Sequence, residues 1–235
     1  MPPTLAGLAP DDWAALGFSA GVSMAAVAGS LPFGVGLGWL LARHRFPGKA
    51  LVEAAVNLPL VLPPVVSGYL LLVLFGRHGP IGGWLDRTFG VQIAFTPVAA
   101  MLAAAVMGFP LMVRAVRLAF QGSDPRLYQA ARSLGAGPLD AFFSVSLPLA
   151  RNGVIAGVVL SFARGLGEFG ATLLFAGSAP GRRTLAIEIY RLYEVPGDAS
   201  EARMWRLVAA SVVLACAALA ASEYLERRGA RRESA

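Results

Sequence analysis

Apolar residues in this chain gather in long, nearly charge-free blocks, instead of alternating or recurring every third or fourth position against a polar face. The blocks run from about Leu16 to Ala42, Leu51 to Phe75, Ile93 to Phe120, Gly153 to Ala176 and Met204 to Tyr224. A helix needs about 20 apolar residues to cross the hydrocarbon layer, so each block has the length of a membrane span. Only helices or closed barrels satisfy backbone polar groups in lipid, and the blocks are too long for barrel strands. The expected fold class is therefore all-α, a polytopic membrane protein with about five transmembrane helices.

The stretches between the blocks differ in kind. The turn at His44 to Gly48 is short, whereas Gln121 to Asn152 is long, polar at one end and amphipathic throughout. Gly76 to Gln92 is glycine-rich, with a short interfacial piece expected at Trp84 to Phe89. Ser178 to Arg203 holds an expected surface helix, Leu185 to Glu194, followed by a break at Pro196-Gly197. Trp13, Trp84, Trp205 and Tyr224 fall at the predicted interface levels, as an aromatic belt requires. No repeat or second domain is visible, so residues 1–235 read as one transmembrane domain, ending after Tyr224 in a charged stub.

Composition agrees: 56% of the residues are hydrophobic and 14% charged, more apolar surface than a soluble domain of this size hides. A net charge of +6 raises the possibility of nucleic acid, but the basic residues sit at membrane edges. With the N-terminus outside, Arg43, Arg45, Lys49, Arg114, Arg117, Arg126, Arg132, Arg151, Arg227, Arg228, Arg231 and Arg232 are inside. Arg77, Arg87, Arg182, Arg183, Arg191, Arg203 and Arg206 are outside, twelve against seven. The positive-inside rule then favours N-out and C-in. Met1 to Asp12 carries Asp11 and Asp12 but no Lys or Arg, unlike a signal peptide, so the first span is expected to persist. Cys216 stands alone and has no internal disulfide partner.

The loop between the third and fourth blocks carries the strongest pattern. It reads Tyr128-Gln129-Ala130-Ala131-Arg132-Ser133-Leu134-Gly135, then nine residues, then Val145-Ser146-Leu147-Pro148. The expected structure is a short helix with small residues on its exposed side, a break at Gly135-Ala136-Gly137-Pro138, a second helix from Leu139 to Phe143, and a stop at Pro148. Two short helices set at an angle by a glycine make a knob that another protein can approach closely. The spacing resembles the "EAA" loop of bacterial ABC import permeases: Glu-Ala-Ala, three residues, Gly, nine residues, Ile-x-Leu-Pro. Ala130, Ala131, Gly135, Leu147 and Pro148 match in position, Val145 stands for the Ile, and Gln129 for the Glu. The resemblance implies that the loop, residues 121–152, sits in a groove on a separate ATP-binding subunit.

Further segments are similar to the molybdate permeases of that class: Phe46 to Lys49, Asn57 to Val66, Phe109 to Arg114, and Ala163-Arg164-Gly165-Leu166-Gly167-Glu168-Phe169-Gly170-Ala171-Thr172. The likeness covers most of residues 16–225 and implies a type I importer permease (MetI-like) fold. Sulfate and thiosulfate permeases share a related Gly-Glu-Phe/Tyr-Gly segment, and tungstate is not separable from molybdate by sequence. From the residues themselves, Arg164 and Glu168 are each costly in lipid and their i, i+4 spacing lets them pair, either bracing the path or fixing helix packing. Pro59, Pro63 and Pro64 interrupt the second span, as a fixed kink or a hinge. Ser67 and Ser161 can offer hydroxyls to an oxyanion or bond their own carbonyls. Gly153, Gly157, Gly165, Gly167 and Gly170 permit close helix approach, at a dimer seam or within the chain. Pro63, Pro64, Ser67, Ser161, Arg164, Glu168, Phe169 and Gly170 are the candidate path residues.

No glycine-rich phosphate loop ending in Lys-Ser or Lys-Thr is present, so an ATP-driven process needs another subunit. The expected assembly is a homodimer in the inner membrane with two ATPase subunits inside and a periplasmic oxyanion-binding protein outside, without cofactor, metal or nucleic acid. A stand-alone secondary transporter or channel predicts inverted repeats and coupling acids, of which only Glu168 is seen. A membrane enzyme needs a nucleophile with its base, but His44 and His78 lie at opposite edges.

Overall fold

The computed structural model describes residues 9–195 and 197–233, helical nearly throughout and without a strand among them. Pro196, half of the expected Pro196-Gly197 break, lies outside the described residues.

The first block becomes one helix, α1 (Pro10–Arg43), which carries Pro32 in its interior. The second becomes α2 (Lys49–Val61) and α3 (Pro64–Phe75), bent by 116° at Leu62-Pro63. An interruption at Pro59, Pro63 and Pro64 was expected, as a kink or a hinge; Pro59 instead lies inside α2, and the break falls only at the later prolines. Consecutive prolines remove two backbone donors and push the residue before each into extended geometry, and Leu62 and Pro63 both adopt it, with ψ of 141° and 136°. The chain continues as α4 (Pro80–Phe89), longer at its start than the expected interfacial piece, and α5 (Pro97–Gly122).

The loop folds as α6 (Pro125–Ser133) and α7 (Pro138–Leu149), the latter containing a π turn at Phe142–Ser146. Pro148 was expected to stop the second loop helix, but the helix runs through it. Widening to i→i+5 bonds, seen where the Leu147 N–H donates to the Phe142 carbonyl, accommodates a ring that would crowd an ordinary α turn. The fourth block is split between α8 (Arg151–Leu166) and α9 (Gly170–Ala176). α10 (Leu185–Glu194) has the expected bounds, and α11 (Asp198–Glu233) stays helical beyond Tyr224, where a stub was expected.

α1, α5 and the first part of α11 are long and apolar enough to cross a bilayer; the bent pairs α2–α3 and α7–α8 would raise the number of candidate spans to five only if each pair were one span. α5 is the central post. Half of its apolar window is buried, against 28% for α1 and 11% for α11. Its small side chains, Ala99, Ala100, Ala103 and Ala104, let neighbouring backbones close in, and Met107, Met112, Val116 and Phe120 fill the remaining space. Glycines on the partners complete the fit: a Cβ on Gly38 of α1 would lie 2.7 Å from Val116, and one on Gly157 of α8 would lie 3.1 Å from the Met112 carbonyl. That packing is within one chain, one of the two readings open from the sequence.

Candidate functional site

The structure gathers the candidate path residues at two crossing helix breaks. The prolines that separate α2 from α3 lie against the gap between α8 and α9. A Cβ on Gly170 would sit 3.1 Å from Pro64 Cβ, and one on Gly68 would sit 2.6 Å from Ala171 Cα, so glycine is what allows the two backbones to touch. Pro63 and Pro64 are exposed, while Ser67, one turn into α3, is buried with its hydroxyl unpartnered.

Glu168 was expected in mid-helix. It stands instead in the gap, after α8 has ended at Leu166. Its carboxylate is 2% exposed and accepts from Arg164 Nη1 at 2.6 Å and from the Ala171 N–H at 3.0 Å. One oxygen therefore closes the end of α8 while the other binds the amino end of α9, where a negative charge is favoured. The pair bridges a break instead of decorating a helix face. Phe169, in the same gap, packs at a tilt against Tyr190 of α10 with ring centroids 5.1 Å apart. Ser161 is buried against Gly108 of α5, whose lack of a side chain makes room for the hydroxyl. It does not join the crossing.

The loop is built from ordinary local rules. Asp124 caps α6 by accepting from the Arg126 N–H at 2.9 Å, and Pro125 occupies the first helical position. At the other end Gly135 has φ of +97°. The Ala136 N–H reaches the Ala131 carbonyl at 3.1 Å and the Gly135 N–H reaches that of Arg132 at 3.2 Å, a left-handed cap that only glycine adopts without strain. Arg132 seals the turn by donating from Nη1 to the Ala136 carbonyl at 2.5 Å. Gly137 then leads into Pro138, the first residue of α7.

α6 has no buried residue. Gln129 and Ala130 are exposed, Ala131 and Ala136 half-buried, Val145 and Leu147 half-buried, and Pro148 exposed. Sequence reasoning missed the apolar contribution to this surface: Leu134 is 89% exposed, Leu139 73% and Phe143 62%. Apolar residues inside an otherwise polar loop were the available signal. On the hidden side Phe142 packs edge-on against Trp39 of α1, centroids 5.5 Å apart, and lies 6.1 Å from Phe120 of α5. Arg43 Nη2 donates to the Ser123 carbonyl at 3.0 Å, fastening the ends of α1 and α5 beside the loop.

At the opposite end, a charge network ties three elements together, and sequence reasoning missed it too. Asp12 and Glu188, both buried, share Arg203, at 2.7 and 3.5 Å. Arg191 and Arg183 also reach Glu188, at 2.5 and 3.3 Å. The hydrogen bond from Arg191, with the charges of Arg191, Arg183 and Arg203, holds the Glu188 carboxyl below its ordinary value against the opposing effect of burial.

Broken helices, long and apolar enough to be candidate membrane spans, stand around a central post and carry a jointed helical loop at one end. The MetNI methionine ABC transporter, in an inward facing form, has this fold: 97% of the present chain superposes on 99% of that chain with a TM-score of 0.67 at 20% identity. The chain belongs to the family described as binding-protein-dependent transport system inner membrane component, whose profile matches residues 34–231. Among its relatives, the molybdenum transport system permease protein ModB of Escherichia coli (strain K12) is 53% identical over 94% of this chain and 96% of its own length. That of Haemophilus influenzae is 44% identical over 91% and 93%.

Proposed function

We propose that this chain is the translocating subunit of an ATP-driven importer for molybdate, working as a homodimer with two ATPase subunits and a periplasmic oxyanion-binding protein. The near full-length likeness to molybdenum permeases supports the anion. The observation that carries the mechanism is the loop: an exposed pair of helices, fixed at Gly135 and bolted to α1 and α5 through Phe142. With residues 1–235 as one transmembrane domain and the N-terminus outside, residues 121–152 face the cytoplasm. Gln129 to Arg132, Gly135 to Gly137, Val145, Leu147 and Pro148 then meet the ATPase, with Leu134, Leu139 and Phe143 as apolar contacts.

In this mechanism closure of the ATPase pair pushes the loop as a rigid body. Phe142 passes the push to Trp39 and Phe120, so that α1 and α5 move together. The crossing of the two breaks, Pro63 and Pro64 against Glu168 to Gly170, is where span halves can change angle without losing helical hydrogen bonds, because those bonds are already interrupted. Arg164 and Glu168 hold the geometry of that joint and do not bind the anion, which a carboxylate would repel. Hydrolysis belongs to the partner, since this sequence carries no glycine-rich phosphate loop ending in Lys-Ser or Lys-Thr.

The test is uptake of radiolabelled molybdate into proteoliposomes holding the complete importer, with sulfate and tungstate as competitors. Uptake should require ATP, the ATPase and the binding protein. Gly135→Val should insert normally and lose uptake by at least about tenfold, since a side chain at φ of +97° strains the cap. Movement of molybdate by this chain without an ATPase, or full uptake by Gly135→Val, overturns the reading.

A further inference from the structure

A cavity of about 300 Å³ lies between the loop end of α1 and the facing sides of α2 and α5. Arg114 and Arg117, three residues apart, project from one face of α5; Glu53 and Asn57, four apart, project from α2; Leu41, Pro110 and Val113 form the apolar base. The space is ample for a small hydrated anion.

The charges do not balance. Glu53 pairs with Arg117 at 3.0 Å, with both side chains 29% exposed. Arg117 Nε is nevertheless buried without an acceptor, and Arg114 makes no hydrogen bond or ion pair among the described residues. Asn57 uses its side-chain nitrogen on the Glu53 carbonyl at 2.7 Å. Two guanidinium groups and one carboxylate leave the cavity with a net positive charge and unused donors, between helices whose other faces are apolar. Arg114 is exposed and Arg117 half-buried, so both guanidinium groups are open to an entering ion, and planar N–H forks match the oxygens of a tetrahedral anion.

We infer that this cavity binds a tetrahedral oxyanion, with Arg114 and Arg117 as its donors and Glu53 as the internal competitor that keeps binding weak. A site on an exit route has to release what it binds, and a carboxylate already seated on Arg117 supplies that release. The cavity lies beside the loop: Lys49 Nζ, at the start of α2, donates to the Leu41 carbonyl at 2.6 Å, and Arg43 reaches Ser123. The inference rests on the proposed function only in placing that end at the cytoplasm and in making molybdate one source of the anion. The phosphate of an anionic lipid offers the same chemistry.

The experiment measures equilibrium binding of radiolabelled molybdate to the intact importer, without ATP or binding protein, in nanodiscs of phosphatidylcholine alone. The Arg114→Gln/Arg117→Gln double variant should bind at least about tenfold more weakly, the scale of losing charge-assisted hydrogen bonds. Glu53→Gln should bind severalfold more tightly, a gain that misfolding cannot produce. In discs containing phosphatidylglycerol, displacement of molybdate and a lipid retained in native mass spectra by the wild type but not the double variant identify the headgroup as the source. Binding unchanged in both variants overturns the site, as does the absence of both molybdate binding and a retained lipid. Normal uptake combined with either result leaves the proposed function standing; loss of wild-type uptake strikes only that function.

Discussion

Glu188 is a buried carboxylate held by three arginines from three parts of the chain, and its titration can be read out. Its folded value is depressed, so the stability it contributes is fully present above its ordinary value near 4.5 and is lost as pH falls through the depressed one. Thermal unfolding in detergent should therefore show a constant gap between wild type and Glu188→Gln at neutral pH that narrows only below that value. The gap should be about 2 kcal/mol, below the range for a fully buried pair because water reaches Arg191. A gap that persists at the most acidic pH reached would remove the ionic explanation. At the helix gap, Glu168→Ala should cost about 3 kcal/mol, because Arg164 and the Ala171 N–H both lose their acceptor. Arg164→Met with Glu168→Gln should cost less than either Glu168→Ala or Arg164→Met alone, since neither charge is then stranded. Equal losses in uptake and stability across all three variants would point to separate roles.

Between elements, glycine decides which helices can touch. Gly68→Ala places a methyl group 2.6 Å from Ala171 Cα, so α3 and α9 must separate, at a cost of about 1–3 kcal/mol read as a lower unfolding midpoint. Gly21→Ala meets nothing within 4 Å and serves as the comparison; equal behaviour of the two would dismiss the close crossing. Much of this architecture was legible from the chain because its causes are local. Block length gave the three unbroken spans, Gly135 with Pro138 gave the loop joint, and Leu185 to Glu194 was bounded by Thr184 and Val195. The α2–α3 bend was legible as an interruption, but not as a turn of 116°, since proline removes donors without dictating where the chain goes next. Pro148 misled for a related reason: the π turn that absorbs its ring has no composition of its own. The Asp12–Arg203–Glu188 network was illegible, because it joins residues up to 191 positions apart whose burial follows only from the packing of α1, α10 and α11.

For the whole molecule, the orientation proposed from arginine counts predicts labelling. With Cys216 replaced by serine, a cysteine at position 126, on exposed α6, should react with a membrane-impermeant maleimide only in inside-out vesicles. A cysteine at position 182, beside the Glu188 network, should react only in right-side-out ones. The reverse pattern would turn the chain over and detach the loop from any cytoplasmic ATPase.

α2 contains no buried residue, and Leu51 and Val61 at its ends are 76% and 80% exposed. One chain therefore leaves a membrane segment of this length for lipid or a neighbouring subunit to cover. If a neighbouring subunit is that cover, copies synthesised without it leave α2 to lipid alone, and a membrane protease that surveys for loose segments then has a place to start. The steady-state amount of this protein should follow the supply of its partners more closely than its own rate of synthesis.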